Sequence, residues 1–198
     1  MKSQPASEKI KALVIGGSAG AVGALLAILP ALPRDCPIAV LIVVHIPPDS
    51  NNTLANLLHA RCQIPVKEAE DKEPICPGMA YLAPPNYHLQ VEPDFHLSLS
   101  QDEPVHYSRP SIDVLFETAA DAYGDSLAGV ILTGASRDGA RGLLAVSNAG
   151  GLIFVQTPAS AEAPTMPQAA LDACPAAQTR DLSGLAVAFQ TELFPASP

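Results

Sequence analysis

This sequence has few basic residues and no closely spaced pair of cysteines. It also lacks the glycine spacing of a dinucleotide-binding turn. The 198 residues include 11 Lys and Arg against 20 Asp and Glu, a formal net charge of −9. Because counterion release from nucleic acid needs a basic surface, this balance argues against nucleic acid as a partner. Four cysteines without a C-x-x-C pair argue against a disulfide framework and a zinc knuckle, and they suit reduced thiols in a cytoplasmic protein. We therefore expect no metal and no cofactor.

Hydrophobic residues are plentiful, at 48% of the chain with a mean hydropathy of +0.21. That composition can bury a large core, so we predict a polar tail over 1–9 and a single domain over 10–198. The uncharged run from Ala12 to Pro33 could also be a membrane segment. Its four glycines, one serine and two prolines instead divide it into a strand, a turn and a short helix, so we expect a protein that is not embedded in a membrane.

Apolar runs alternate with helical patterns along most of the chain. Strands are predicted over 12–15, 38–44, 66–69, 79–83, 127–132 and 152–156, and helices over 21–29, 53–61, 112–122, 140–148, 168–173 and 185–194. Two further runs, 88–91 and 95–99, flank a turn and predict an antiparallel hairpin inserted in this pattern. The fold class is therefore α/β: a three-layer, doubly wound, mainly parallel sheet with a hairpin insertion.

The first strand leads into a glycine-rich turn that contains one serine. Gly16-Gly17-Ser18-Ala19-Gly20 fits G-x-S-x-G, the pattern of a nucleophile placed on a tight strand-to-helix turn. The same residues would also suit a helix N-cap or a phosphate-binding turn. Ser18 is thus a candidate nucleophile with two alternatives left open.

A histidine and an aspartate follow other predicted strands. His45 ends the second strand, and Asp138 lies in the loop after the strand over 127–132. Carboxyl ends of parallel strands share one edge of a sheet, so Ser18, His45 and Asp138 should meet there as nucleophile, base and orienting acid. Taken singly, His45 could cap a strand end and Asp138 could belong to an ordinary turn. A nucleotide-binding module lacks support, because no acidic residue ends the second strand and no G-x-G-x-x-G is present in the turn.

Several blocks, in order, identify a resemblance to a known family. The blocks are VIGGSAGA from Val14, VVHIPP from Val43, VKEAEDKEPICPGMAYLAPPNYHL from Val66, YSRPSIDVLFETAA from Tyr107, GVILTGASRDGARGL from Gly129 and MPQAAL from Met166. Together they resemble the catalytic domain of CheB, the chemotaxis protein-glutamate methylesterase. Where the family usually has a second glycine this chain has Ala21, and where Met-Gly is common it has Ala135-Ser136.

The resemblance implies a serine esterase that hydrolyses glutamate γ-methyl esters on the cytoplasmic helices of chemoreceptors, with Ser18, His45 and Asp138 as its triad. Oxyanion donors are expected in the backbone N–H groups of Ala19 and Ala135. Docking of an acidic receptor helix is expected from three arginines, namely Arg109, Arg137 and Arg141. The family commonly has a receiver domain ahead of the esterase, whereas a short tail stands there in this sequence. We therefore expect a standalone esterase controlled in trans by a receiver protein or a methyltransferase, or else a piece of a longer chain.

Two alternatives to the esterase remain, a phosphate- or nucleotide-binding α/β module and a catalytically silent scaffold that binds receptors. His59 and Cys62 have an H-x-x-C spacing, but no second pair completes a tetrahedral metal site, and three further histidines show no ligand spacing. His88, His96 and His106 fall in or near the predicted hairpin, and we expect them to be partly exposed.

Overall fold

The computed structural model describes residues 10–45 and 53–193. The predicted tail and the last residue of the predicted C-terminal helix, Phe194, lie outside the described residues.

Seven strands form one parallel sheet. They are β1 (Ala12–Gly17), β2 (Ala39–Val44), β3 (Val66–Glu68), β4 (Ala80–Leu82), β7 (Leu127–Ile131), β8 (Leu152–Gln156) and β9 (Gln178–Arg180). Their order across the sheet is β3-β4-β2-β1-β7-β8-β9, and each neighbouring pair is parallel. In chain order, strands β2 to β4 thus lie on one side of β1 and strands β7 to β9 on the other. The ends of β1, β2 and β7 meet where the order reverses, which is where ligands bind in open α/β sheets.

Helices cover both faces of this sheet. They are α1 (Ala21–Ile28), α2 (Thr53–His59), α3 (Ile112–Tyr123), α4 (Ala140–Asn148), α5 (Thr165–Ala173) and α6 (Leu182–Ala188). Successive residues of β1 alternate between two cores: Leu13 and Ile15 pack with α1 and α6, whereas Ala12 and Val14 pack with α3, α4 and α5. A strand buried on both faces must be apolar throughout, so the predicted three-layer, doubly wound fold is confirmed.

The predicted hairpin is also confirmed. Strands β5 (His88–Val91) and β6 (Leu97–Ser100) pair antiparallel and form a separate two-stranded sheet. Its buried side chains, among them Leu89 and Leu97, join the core that contains α3. The insertion therefore packs against α3, and Val91 N–H donates to the Thr118 hydroxyl on that helix.

Three local features differ from the sequence predictions. Strand β9 was not predicted, because its residues are polar and lie at the sheet edge with no apolar pattern. Helix α5 begins at Thr165 instead of 168, since Pro167 falls in the first turn, where a missing N–H costs no helical hydrogen bond. Beyond α6 the chain continues as a π-helical turn over Phe189–Leu193.

None of the helices among the described residues has the length and apolar character that a crossing of a membrane requires.

Candidate active site

Ser18 lies in the turn between β1 and α1, at the carboxyl edge of the sheet. Its backbone N–H donates to the carbonyl of Thr133, which follows β7, at 2.9 Å, and its own carbonyl accepts from Ala21 N–H at 2.9 Å. Gly20 adopts φ +79°, a left-handed conformation that few other residues tolerate. The side chain of Ser18 is half-buried. The turn is thus held by its backbone and presents the serine at the sheet edge.

His45 stands beside this turn because β1 and β2 are paired. Gly17 is opposite Val44 in the register, and the N–H of His45 donates to the Gly17 carbonyl at 3.1 Å. Its side chain is 13% exposed. The residues after the two strands, Ser18 and His45, therefore lie side by side as expected from the parallel sheet.

Asp138 reaches His45 from the loop that follows β7. Its Oδ2 accepts a hydrogen bond from His45 Nε2 at 2.8 Å, and its side chain is completely buried. His45 and Asp138 are 93 residues apart in the sequence. They come together because the strands that precede them, β2 and β7, lie on either side of β1. The structure thus brings the predicted histidine and aspartate into direct contact.

The carboxylate of Asp138 is also bound to the first turn of α3. Oδ2 accepts from Ile112 N–H at 2.6 Å, and Oδ1 accepts from Asp113 N–H at 3.0 Å and from the Ser111 hydroxyl at 2.9 Å. Burial by itself would raise the pKa of Asp138, but the bonds from His45 and the backbone outweigh it and hold that pKa below its ordinary value. Asp138 is therefore an anion that accepts, and the proton of this pair resides on His45 Nε2.

The other ring nitrogen of His45 is then the acceptor in the neutral imidazole. Nδ1 lies 3.5 Å from the hydroxyl oxygen of Ser108, a long contact. Within residues 10–45 and 53–193 the Ser18 hydroxyl has no hydrogen-bond partner. The serine is at the same sheet edge as the histidine–aspartate pair, but a serine–histidine hydrogen bond is not formed between these described groups.

The two predicted oxyanion donors lie in adjoining turns. Thr133 joins these turns, because its Oγ1 donates to the Ala19 carbonyl at 2.9 Å while its own carbonyl accepts from Ser18. Both Ala19 and Ala135 are exposed, and their N–H groups have no partner among the described residues. Gly134, by contrast, uses its N–H on the Ala163 carbonyl at 3.0 Å. In this loop the N–H of Gly134 is therefore occupied, and that of Ala135 is not.

The three arginines predicted to dock a partner have different surroundings. Arg109 donates to the Asn86 side chain and to the carbonyls of Gln101 and Asp102, so it ties loops of this chain together. Arg141 forms an exposed ion pair with a carboxylate of α3. Arg137 is exposed and has no side-chain partner within the described part of the chain.

Sequence reasoning missed the groups that surround Asp138. Ser111 was recognisable as the N-cap of α3, and it is one, since its hydroxyl accepts from Val114 N–H. Its second contact with Asp138 had no signal in the sequence. His88 was expected to be partly exposed, and that expectation is wrong: it is 1% exposed and its Nδ1 accepts from Ser111 N–H at 3.1 Å.

No group of three or more His, Cys, Asp or Glu side chains is arranged to hold a metal ion in residues 10–45 and 53–193.

The fold and this edge together define a class. A doubly wound α/β domain with a serine in a strand-to-helix turn, next to a hydrogen-bonded histidine and aspartate, is a protein of the serine-hydrolase class.

Within that class, the chain belongs to the CheB methylesterase family, whose model matches residues 13–188. A protein of Leptospira interrogans is 52% identical over 163 residues, which are 82% of this chain and 84% of the relative. A relative in Salmonella typhimurium, named protein-glutamate methylesterase/protein-glutamine glutaminase, is 38% identical over 92% of this chain and 53% of its own length. The chain thus spans about half of that longer relative.

A solved structure agrees with the family. The crystal structure of the Thermotoga maritima CheB methylesterase catalytic domain superposes with a TM-score of 0.86 at 30% identity, and the match covers 90% of this chain and 96% of that domain. The expected resemblance is therefore confirmed in both sequence and fold.

Proposed function

We propose that this chain hydrolyses glutamate γ-methyl esters on methyl-accepting chemotaxis receptors and releases methanol, with deamidation of receptor glutamines as the related reaction. The observation that supports it most is the 2.8 Å hydrogen bond between His45 Nε2 and Asp138 Oδ2 beside the Ser18 turn. The name of the Salmonella relative includes both activities. We assign the work to one catalytic domain over 10–198, acting in the cytoplasm on receptor helices, with a methyltransferase or a receiver protein as a partner in trans.

His45 acts through Nδ1 in this mechanism, because Nε2 is bound to Asp138. Ser18 Oγ attacks the ester carbonyl carbon while its proton passes to Nδ1, and the carbonyl electron pair becomes the oxyanion. The C–O bond to the methoxy group then breaks, and Nδ1 returns the proton to give methanol. Water attacks the acyl-enzyme in the same way and regenerates Ser18, leaving a glutamate carboxylate. An amide substrate would release ammonia by the same steps.

The oxyanion would be stabilised by the free N–H groups of Ala19 and Ala135, and loss of one such donor costs about 3 kcal/mol in other enzymes. The buried Asp138 carboxylate stabilises the imidazolium that forms in both steps. Arg137, the arginine without a partner among the described residues, would attract an acidic receptor helix.

The test combines labelling with turnover. Wild type, Ser18→Ala, His45→Ala and Ser108→Ala are treated with a fluorescent fluorophosphonate, and methanol release from methylated receptor is measured. We expect labelling and turnover in wild type, neither in Ser18→Ala, and at most about 10⁻⁴ of the wild-type rate in His45→Ala.

One control variant, together with Ser108→Ala, makes the result decisive. Ser147→Ala removes a serine at the C-terminal end of α4, the end opposite Asp138, and should change nothing. The Ser108 hydroxyl also lies near His45 Nδ1. If Ser108→Ala loses labelling and Ser18→Ala keeps it, Ser108 and not Ser18 is the nucleophile. A wild type that neither labels nor releases methanol contradicts the esterase, and receptor binding without turnover would favour the silent scaffold.

A further inference from the structure

A second aspartate is buried directly behind the histidine–aspartate pair. Asp113, in the first turn of α3, is completely buried. The mechanism above gives it no role, and a buried carboxylate carries a substantial desolvation cost. The residue therefore needs an explanation.

Asp113 and Asp138 bind each other's helices in a reciprocal arrangement. The carboxylate of Asp138 accepts from the N–H of Asp113 at 3.0 Å in the first turn of α3. The Oδ1 of Asp113 in turn accepts from Gly139 N–H at 2.9 Å and Gly142 N–H at 2.7 Å, at the start of α4. Since Gly139 directly follows Asp138, the Asp113 side chain fixes the backbone from which the catalytic carboxylate projects.

The two helices can exchange these bonds because they approach closely. A Cβ on Gly142 would lie 3.0 Å from the Cα of Asp113 and 2.6 Å from the Cβ of Phe116, too close for any side chain. Gly139 has φ +97°, and a Cβ there would meet Ile112 and Ile131 at less than 3.0 Å. The geometry around both carboxylates is therefore rigid on the backbone side.

The second oxygen of Asp113 has no hydrogen bond within the described residues. His106 Nε2 is 3.4 Å away, within ion-pair range but without hydrogen-bond geometry, and its ring is half exposed. Oδ1 accepts two backbone N–H groups at the N-terminus of α4, and His106 is the neighbour that can pair with Oδ2 when its ring is protonated. The two N–H donors and the helix N-terminus favour the carboxylate anion.

We infer that Asp113 is a positioning residue for the catalytic pair, which orients Asp138 toward His45 and adds a second buried negative charge behind the imidazole. The inference rests on the proposed function. The charged and titratable groups that face Asp113 are Asp138 and His106, with Arg141 on α4 and His45 beyond Asp138. A negative charge in this place favours the imidazolium form of His45, which is the form that both chemical steps require.

Burial raises the pKa of Asp113, and repulsion by Asp138 adds to that rise, against the bonds from Gly142 and Gly139. Burial and Asp138 thus oppose the negative charge, and the two backbone N–H groups favour it. Replacement by asparagine should remove the charge and keep an oxygen acceptor for Gly139 and Gly142, so folding and catalysis should respond differently.

The test uses Asp113→Asn, Asp113→Ala and the control Asp121→Asn, which makes the same change at an exposed position of α3. The first measurement is an NMR titration of the His45 imidazole in the intact chain, with the signals of His45 and His106 assigned by His45→Ala and His106→Gln. We expect the His45 midpoint in Asp113→Asn to fall by about half a pH unit or more. It should stay at the wild-type value in Asp121→Asn.

The second measurement is methanol release as a function of pH, with thermal melts of each variant. We expect kcat to fall about tenfold in Asp113→Asn with KM little changed, and further in Asp113→Ala. The acid limb of kcat/KM should move to lower pH in Asp113→Asn, and its melting midpoint should stay close to wild type.

A His45 midpoint that does not move in Asp113→Asn overturns the inference. So does a loss of activity that only follows the loss of folded protein. Because the NMR titration needs no turnover, an inactive wild type would contradict the proposed esterase without deciding the role of Asp113.

Discussion

Two kinds of helix N-terminus meet at the candidate active site. Helix α1 begins at Gly20 with no side-chain cap, next to the unbonded N–H of Ala19. Helices α3 and α4 begin with their first amides bound to the buried carboxylates of Asp138 and Asp113. Helix N-termini attract anions. In this site the N-termini of α3 and α4, here called the filled ends, are hydrogen-bonded to buried carboxylates. The N-terminus of α1, here called the open end, has no side-chain hydrogen bond, although the Glu162 carboxylate lies beside Gly20.

The two kinds of N-terminus suit two kinds of charge. A carboxylate charge is permanent and must be held in place, whereas an oxyanion charge forms and disappears in each turnover. The filled ends hold the carboxylate that orients His45, and their bonds persist through the reaction. In the proposed mechanism the negative charge on the substrate carbonyl would develop beside the unbonded N–H of Ala19 at the open end, and an anion hydrogen-bonded there would compete with it. We therefore propose that transition-state stabilisation uses the N-terminus that has no side-chain cap.

The largest effect should come from removing the charge of Asp138, the carboxylate that binds the N-terminus of α3. Asp138→Asn keeps the size of the side chain but turns an amide NH₂ toward donors at Ile112 or His45. We expect methanol release to fall by about 10⁴, as when the acid of a serine triad is amidated. The free energy of unfolding should fall by about 1–3 kcal/mol at neutral pH. Urea unfolding and the esterase assay measure these two quantities.

The same variant gives a pH test of the charge. The pKa of Asp138 is lowered in the folded state, so its stabilising contribution is present above the ordinary value of about 3.9 and is lost as the pH falls through the lowered pKa. The difference in unfolding free energy between wild type and Asp138→Asn should therefore shrink below about pH 4. A difference that stays constant down to pH 2 would contradict an ionised Asp138.

A smaller effect is expected at Ser111, which supports the filled end of α3. Its hydroxyl donates to Asp138 at 2.9 Å and accepts from Val114 N–H at 3.4 Å. Ser111→Ala should cost about 1 kcal/mol of stability, the usual value for an N-cap. It should also lower kcat by a factor of about 3 to 10, because Asp138 retains three other donors.

The result for Ser111 is checked by comparing kcat with stability. Ser126→Ala, at a serine between α3 and β7, is a matched control that should leave kcat unchanged. Equal kcat in wild type and Ser111→Ala would show that the backbone amides alone orient Asp138.

The elements that place the site were predictable from sequence because their signals are local. Strands β1 and β2 are continuous apolar runs, as strands buried on both faces require. The common edge of Ser18, His45 and Asp138 then follows from parallel pairing. The short strand β9 was missed because a polar edge strand has no such run.

The environment of the aspartate pair was not predictable in the same way. The bonds between Asp138 and the start of α3 join residues 25 to 27 positions apart, and they depend on how two helices pack. The use of His45 Nε2 instead of Nδ1 toward Asp138 is likewise a result of loop geometry. His88 was placed wrongly because its partners, Ser111 and Glu103, come from outside its own hairpin.

The smallest effect should come from Arg137, which we expect to attract the substrate. Arg137 is exposed in the loop between β7 and α4, beside α5, whereas Arg141 belongs to α4 and is paired with Glu117. Arg137→Ala should raise KM for an acidic receptor helix about two- to fivefold at low salt, with kcat unchanged, and the effect should decline toward 0.5 M salt. Arg141→Ala should leave KM unchanged and alter stability by less than about 0.5 kcal/mol, since exposed ion pairs contribute little. If the two variants raise KM equally, the substrate is attracted by the overall charge of the surface and not by Arg137 in particular.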